Sequence, residues 1–343
     1  MKLSALYWHR FTPLHIILWP ISLAYELFLI IKKLCYWLDI FPSIKLPVPV
    51  MSVDAISIEA SGKTPLILWL VNNLVRHGYT PGIVTHGNFS TNPPTAITDA
   101  TAPETADSDA LLFAHRFGAT CLVWTGSDRI QTAQALLHAH PNCNVLIFND
   151  TLQYHRLERD IEITLVDFSD YTYGNGLLLP AGPLRANPRR LDQDSIILVA
   201  GEQNFTAITD NWHTKYPIKW VAETAYNVLK PENRRSLSSF KEIQIHALTD
   251  ENDEEWIFAA IQQAGLNTNA LLHSFPKHHQ FIAQDLDFPT GSIVLMSENK
   301  ALAYQNFATE ALWALPEEVW VGIDLENAIL KQLKTKTEQR SVT

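Results

Sequence analysis

The stretch that most constrains this chain is residues 48–78, VPVMSVDAISIEASGKTPLILWLVNNLVRHG. The apolar run from Val48 to Val53 predicts a buried strand. Leu66, Trp69, Leu70 and Leu74 then recur at helical spacing, and Gly78 stands where a C-terminal cap belongs. Between strand and helix lies Ser61-Gly62-Lys63-Thr64, the end of a phosphate-binding loop. Backbone N–H groups at a helix N-terminus attract anions. Lys63 is placed to reach terminal phosphates and the Thr64 hydroxyl to ligate Mg²⁺. Pro65 suits the first helical turn, where its missing donor costs nothing. The competing reading of Lys63 is a solvated residue at a helix start.

The rest of the chain repeats the strand–helix theme. Strands are predicted at residues 80–85, 120–124, 145–148 and 161–167, and helices at 106–117 and 129–138. Such alternation implies a mainly parallel sheet with ligands at the carboxyl ends of its strands. Two features fall at such ends, the Ser61–Thr64 loop and Asn149-Asp150, which makes Asp150 a candidate metal or nucleotide contact; an Asp after a strand otherwise forms a turn. The Thr-, Pro- and Asn-rich residues 85–103 read as a mobile loop. Residues 172–191, TYGNGLLLPAGPLRANPRRL, read as a specifically shaped segment. Its Arg185, Arg189 and Arg190 suit a phosphate, with surface salt bridging as the alternative. Arg159 and Asp160 are assigned to turn structure. Strands near 196–200, 244–248, 271–275 and 293–296, with a helix at 254–264, form a second series. The predicted domains are an apolar helix at 1–40, a nucleotide-binding lobe at 41–170, a connecting segment at 171–195 and a second α/β lobe at 196–343.

At 343 residues, 47% hydrophobic and 18% charged, the chain suffices for two globular domains. A net charge of −10 argues against nucleic acid, whose binding is dominated by cationic neutralisation of phosphate. Cys35, Cys121 and Cys143 show no metal spacing and fit a reducing compartment. Residues 14–31, LHIILWPISLAYELFLII, are almost wholly apolar, and Lys32 and Lys33 follow. Spanning a bilayer takes about 20 uninterrupted apolar residues, and Pro20 and Glu26 interrupt this run. A helix lying at the membrane surface is expected, with Trp19, Tyr25 and the lysines at the interface; the alternative is a helix buried against the core. No small-residue cleavage site follows the run, which argues against a signal peptide.

In the order in which they occur, PVPVMSV…SGKTP, RHGYTPGIV, DALLFAHRFGA, LQYHRLERDIEITLVD, GNGLLLPAGPLR, FPKHHQF, DLDF and VLMSENKA…WALP resemble the tetraacyldisaccharide 4'-kinases, which phosphorylate the lipid A precursor of Gram-negative bacteria. GNGLLLPAGPLR together with HRLERDIEI is the most specific part. The resemblance implies two phosphate-binding-loop, Rossmann-like α/β lobes and an enzyme peripheral or monotopic at the cytoplasmic face of the inner membrane. It implies ATP as phosphoryl donor, Mg²⁺ as cofactor and an acylated disaccharide 1-phosphate as acceptor. Ser57, Ser61, Gly62, Lys63 and Thr64 become the nucleotide-binding set, Thr64 and Asp150 the metal ligands, and His278, Asp150 and Asp109 the catalytic candidates. Arg185 and Arg189 become substrate contacts. The sequence departs from the family at Glu59 and Ala60, usually glycines, at Ser108 and Asn149, usually aspartates, at His86-Gly87-Asn88, usually Arg-Gly-Tyr, and at Lys277, usually an aspartate. The acidic run 249–253 stands where a glycine-rich turn is usual. These departures define the alternative reading, a catalytically silent member that keeps the fold and binds lipid or a protein.

Overall fold

Apolar strand runs and helical periods assemble into two α/β units in the computed structural model, which describes residues 8, 12–58, 62–87, 93–101, 106–168, 173–188, 191, 196–201, 214–250, 253–266, 268–276, 279 and 281–341. One unit comprises Met1–Thr101, Phe113–Lys219 and Val319–Thr343, and the other Ala102–Leu112 and Trp220–Glu318.

The first unit holds strands β1 (Val50–Ala55), β2 (Pro81–His86), β3 (Thr95–Ile97), β4 (Leu122–Gly126), β5 (Val145–Asn149), β6 (Ile161–Asp167), β7 (Ile196–Ala200) and β8 (Lys215–Val221). With β15 (Glu318–Val321) they form one sheet in the order β15-β8-β7-β6-β1-β5-β2-β4-β3. Every pair from β8 to β4 is parallel, and β3 joins β4 antiparallel. β1 is central and every one of its residues is buried. That is why its sequence reads as a continuous apolar run rather than an alternation. Helix α1 (His15–Trp37) precedes the sheet, and α2 (Lys63–Arg76) follows β1 and buries Leu66, Ile67, Leu70, Val71 and Leu74. Helix α3 (Ser108–Phe117) starts among the second unit's residues and ends among the first's. α4 (Arg129–Ala139) is capped by Asp128, whose carboxylate accepts from the Ile130 and Gln131 N–H groups at 2.9 and 3.1 Å.

The second unit contains β9 (Thr224–Asn227), β10 (Arg234–Ser236), β11 (Ile245–Asp250), β12 (Ala270–Phe275), β13 (Ile293–Ser297) and β14 (Leu312–Leu315), ordered β10-β9-β14-β13-β11-β12. The run from β14 to β12 is parallel and the β9 and β10 edge antiparallel. Helices α5 (Glu254–Gln263) and α6 (Glu298–Ala303) belong to it. Its core packs Phe240 edge-on to Trp313, centroids 5.0 Å apart, with Ile245, Ile257, Leu295 and Leu315. The α/β, mainly parallel architecture is the expected one.

Three expectations need correction. β7, assigned by sequence to the second lobe, pairs with β6 in the first sheet, and β8 extends that sheet. Helix α7 (Ile323–Ser341) likewise returns to the first unit. There Arg340 Nη2 meets Asp160 Oδ2 at 2.6 Å and its Nη1 meets the Leu46 carbonyl. Third, the stretch expected as a mobile loop carries β3, whose Ile97 is buried.

Helix α1 runs through Pro20 and Glu26 without a break. Its buried residues, His15, Ser22 and Leu29, recur every seven positions. The stripe they define meets the first unit through the buried Leu29, through Tyr25 packed on an apolar cluster, and through polar contacts. Ser22 Oγ donates to the Leu178 carbonyl at 2.9 Å and accepts from the Ala181 N–H at 3.0 Å. Asn175 Nδ2 lies 3.0 Å from His15 Nε2, and Asn187 Nδ2 donates to Glu26 Oε1. The outward face is apolar: Ile16 is 78% and Trp37 77% exposed, with Ile17, Trp19, Leu27 and Phe28 also exposed. A helix on a water-soluble surface has the opposite arrangement, apolar side inward.

Candidate phosphate-binding site

The site starts from the backbone at the carboxyl edge of β1. Gly62 precedes α2 with φ 93° and ψ 0°, a left-handed conformation that favours glycine. This turn puts Lys63 and Thr64 in the first turn of α2, where unpaired N–H groups and the helix dipole favour anions. On the neighbouring strand β5 the chain leaves through Asp150, itself at φ 64°. Asp tolerates that region better than most residues, and such backbone strain concentrates at functional sites.

Asp150 gathers the cations. Lys63 Nζ lies 3.3 Å from its Oδ2, and Arg185 Nη1 lies 2.6 Å from its Oδ1. Burial alone would raise the Asp150 pKa, but the Lys63 and Arg185 charges and hydrogen bonds outweigh it and hold the carboxyl below its ordinary value. Arg185 arrives on the 173–188 segment, which the fold pins to β1's continuation: the Arg185 N–H donates to the Ile56 carbonyl at 2.7 Å and Ile58 N–H to Pro183 at 3.0 Å. Gly182 is required there, because a Cβ would stand 2.3 Å from the Leu177 carbonyl.

Four further groups surround the site, and sequence reading missed their part in it. Asp54, the penultimate residue of β1, is 1% exposed and accepts the Thr151 N–H. Burial raises its pKa against the pull of Arg159 and a Ser52 hydrogen bond, and the Asp150 charge adds to the rise. Arg129 opens α4 over the Tyr154 ring at 5.5 Å, feels the Asp150 and Asp54 carboxylates, and has a buried Nε without a partner among the described residues. Arg159 donates to the Thr151 carbonyl at 2.8 Å and pairs with Glu162 at 2.9 Å. His86, at the end of β2, is pushed toward its neutral form by burial and by Arg129. An Asp inside an apolar strand run or an Arg opening a helix carries no local signal; parallel pairing puts them together.

The other expected residues are placed as follows. Ser57 is 1% exposed and its hydroxyl donates to the Pro183 carbonyl at 3.5 Å, so this expected nucleotide ligand sits in the buried seam with the 173–188 segment. Asp109 belongs to the second unit, 3.5 Å from Asn299 Nδ2. Ser61, Arg189 and His278 lie outside the described residues, as do Glu59, Ala60, Asn88, Arg190 and Lys277. The adjacent His279 pairs with Asp285 at 3.0 Å, and the Ile282 N–H and His279 hold Asp285 below the usual carboxylate range.

Thr64, Asp54 and Asp150 supply hard oxygen donors, and no group of three or more His, Cys, Asp or Glu residues converges among the described residues. That set fits Mg²⁺, which takes one or two carboxylates and completes its shell with phosphate and water. It does not fit zinc, which takes N and S ligands.

A parallel sheet whose central strand feeds a glycine–lysine–threonine helix start, beside a carboxylate held between a lysine and an arginine, defines an α/β protein of the phosphate-binding-loop class. Residues 14–336 match the LpxK family, tetraacyldisaccharide-1-P 4'-kinase, and the chain belongs to that family. It is 38% identical to the tetraacyldisaccharide 4'-kinase of Nitrosomonas eutropha over 98% of this chain and 85% of that protein. With the enzyme of the same name from Methylobacillus flagellatus it shares 32% over 97% and 96% of the two chains. The fold is similar to the crystal structure of LpxK from Aquifex aeolicus in complex with ATP, with a TM-score of 0.75, 21% identity and 92% and 98% of the two chains covered.

Proposed function

We propose that this protein transfers the γ-phosphoryl group of ATP to the 4'-hydroxyl of a tetraacyldisaccharide 1-phosphate, as its family name describes. The observation that carries the reading is the convergence of Lys63 and Arg185 on Asp150 beside the α2 N-terminus. Phosphoryl transfer is mostly positioning and charge neutralisation. Lys63 and the α2 backbone N–H groups bind terminal phosphate oxygens, and Arg129 and Arg185 offset the charge that builds on them. Thr64, Asp150 and Asp54 would hold Mg²⁺, which supplies further neutralisation when bound. Once phosphate occupies the cations, the Asp150 carboxylate is released from them to do so. His278, by family resemblance, is the proposed acceptor of the sugar hydroxyl's proton, and Asp109, beside the Ser108 that stands where the family has an aspartate, is the proposed substitute carboxylate. The site is therefore read as SGKT with Asp150, and the domain scheme as the two observed units. The silent alternative is not favoured, since the phosphate-facing cations are present.

The α1 face supports a seat on a membrane. The helix presents an apolar exterior and is seated on the body by Leu29, Tyr25 and the polar contacts of Ser22, the arrangement expected of an interfacial helix that brings the enzyme to a lipid substrate. The proposed location is the cytoplasmic face of the inner membrane.

The test mixes purified protein, ATP labelled at the γ-phosphate, Mg²⁺ and the tetraacylated disaccharide monophosphate in mixed micelles. Label passes to the lipid, and Lys63→Ala lowers the rate at least ~100-fold. A folded wild-type sample that neither transfers label nor binds nucleotide calorimetrically would refute the reading.

A further inference from the structure

We infer that Gln153 is a positioning residue that couples the seating of α1 on a bilayer to the phosphate site, so that nucleotide affinity depends on membrane attachment. The inference rests on the kinase reading above and extends it to regulation of the same site.

Gln153 lies three residues after Asp150 and touches both sides. Its Nε2 donates to the Tyr25 hydroxyl of α1 at 2.6 Å and to the Arg185 carbonyl at 3.0 Å. Its own carbonyl accepts from Lys32 Nζ, also on α1, at 3.1 Å. An amide nitrogen has two protons, and here one is spent on the anchor helix and the other on the backbone of a phosphate-site arginine. The Arg185 backbone is otherwise held by Ile56 just beyond β1, and its guanidinium holds Asp150 at 2.6 Å. The connection from α1 to Asp150 is thus three hydrogen bonds, Tyr25 to Gln153, Gln153 to Arg185 and Arg185 to Asp150, with Lys63 on Asp150 a fourth.

The physical asymmetry lies in how α1 is attached. Tyr25, Lys32 and Glu26 bind through part-buried hydrogen bonds that water can replace, while the large apolar area faces outward. In water nothing holds that outer face. On a bilayer it is buried, the helix is fixed in orientation, and the inner hydrogen bonds work in a drier environment where they are stronger. Fixing Tyr25 and Lys32 fixes Gln153, and with it the carbonyl from which Arg185 projects. Because coupling is reciprocal, nucleotide must strengthen membrane binding by the same factor.

The experiment titrates a fluorescent, non-hydrolysable ATP analogue with Mg²⁺ into full-length protein, in detergent-free buffer and with phosphatidylethanolamine–phosphatidylglycerol vesicles. Vesicle flotation is measured with and without the analogue. Wild type binds the analogue about fivefold or more tightly on vesicles, and the analogue raises vesicle partitioning by the same factor. Gln153→Ala and Tyr25→Phe bring both ratios close to one. Tyr25→Phe removes a single hydroxyl, so it decides the matter if Gln153→Ala does not fold. A purely structural role would lower the melting temperature and leave the ratio intact. A wild-type ratio of one, or a full ratio in Tyr25→Phe, overturns the coupling while leaving the kinase reading standing. No analogue binding in either condition overturns both.

Discussion

At the scale of single residues, the site holds two carboxylates whose environments push them apart. Asp150 sits between two cations and ionises readily, whereas Asp54 is buried and holds its proton more tightly than usual. For Asp150 the folded pKa is depressed, so its stabilising contribution is present at neutral pH and is lost as pH falls through that depressed value. For Asp54 the folded pKa is raised, so stability falls as pH rises above the ordinary 3.8. Asp54 therefore costs stability at neutral pH, as a group kept for function does. Asp54→Asn, which retains an oxygen for the Thr151 N–H, raises the melting temperature at pH 8. It also lowers transfer by ~100-fold or more, comparable to losing one transition-state donor. Thermal scans and initial rates on the same preparations check both signs. Asp150 was legible as a carboxylate after a strand, but the part of Asp54 was not. Val53-Asp54-Ala55 reads as the tail of an apolar strand, whereas Lys63 was legible because its partners in the motif are its chain neighbours.

At the scale of elements, α1 and the turn after β14 carry the sharpest consequences. Ser22 is 4% exposed, and its hydroxyl both donates to Leu178 and accepts from Ala181. Ser22→Ala strands the buried Ala181 N–H, while the Leu178 carbonyl keeps the Gly182 N–H at 2.9 Å. It costs about 1–3 kcal/mol, read as a lower denaturant midpoint, and it leaves vesicle binding through the outer face intact. The apolar character of α1 was plain in sequence; its polar inner stripe was not, because Ser22, Tyr25 and Glu26 only gain meaning against the 173–188 segment. Between β14 and β15, burial first, then Asp109 and Asp253, push the Glu317 carboxyl up to about 7 from 4.5. The folded protein binds this proton more tightly, so stability falls as pH rises from about 4.5 to about 7. Glu317→Gln flattens that dependence and gives a higher melting temperature than wild type at pH 8, measurable by thermal scans from pH 5 to 8.

At the scale of the whole molecule, a chain with net charge −10 concentrates Lys63, Arg129, Arg159 and Arg185 at one sheet edge. Overall charge argues against nucleic acid as a default partner, while the cations gathered around Asp150 suit a small polyanion. MgATP at about 100 times its dissociation constant therefore stabilises the protein by about 2.7 kcal/mol, seen as a raised unfolding midpoint that Lys63→Ala abolishes. The amino-acid sequence by itself determined what depends on near neighbours: the strand–loop–helix around Lys63, the apolar run of α1, the alternation that makes a parallel sheet, and the family. Tertiary structure decided what depends on closure over long separations. It put β7, β8 and α7 with the first unit, since apolar strands of one composition pair in either sheet and only the crossovers select. It also brought Arg185 to Asp150 across 35 positions and Arg340 to Asp160 across 180. Charges so far apart along the chain have no local pattern to betray them: Arg185 reaches Asp150 because its segment is pinned to Ile56 just beyond β1, and Arg340 reaches Asp160 because α7 returns to the first unit.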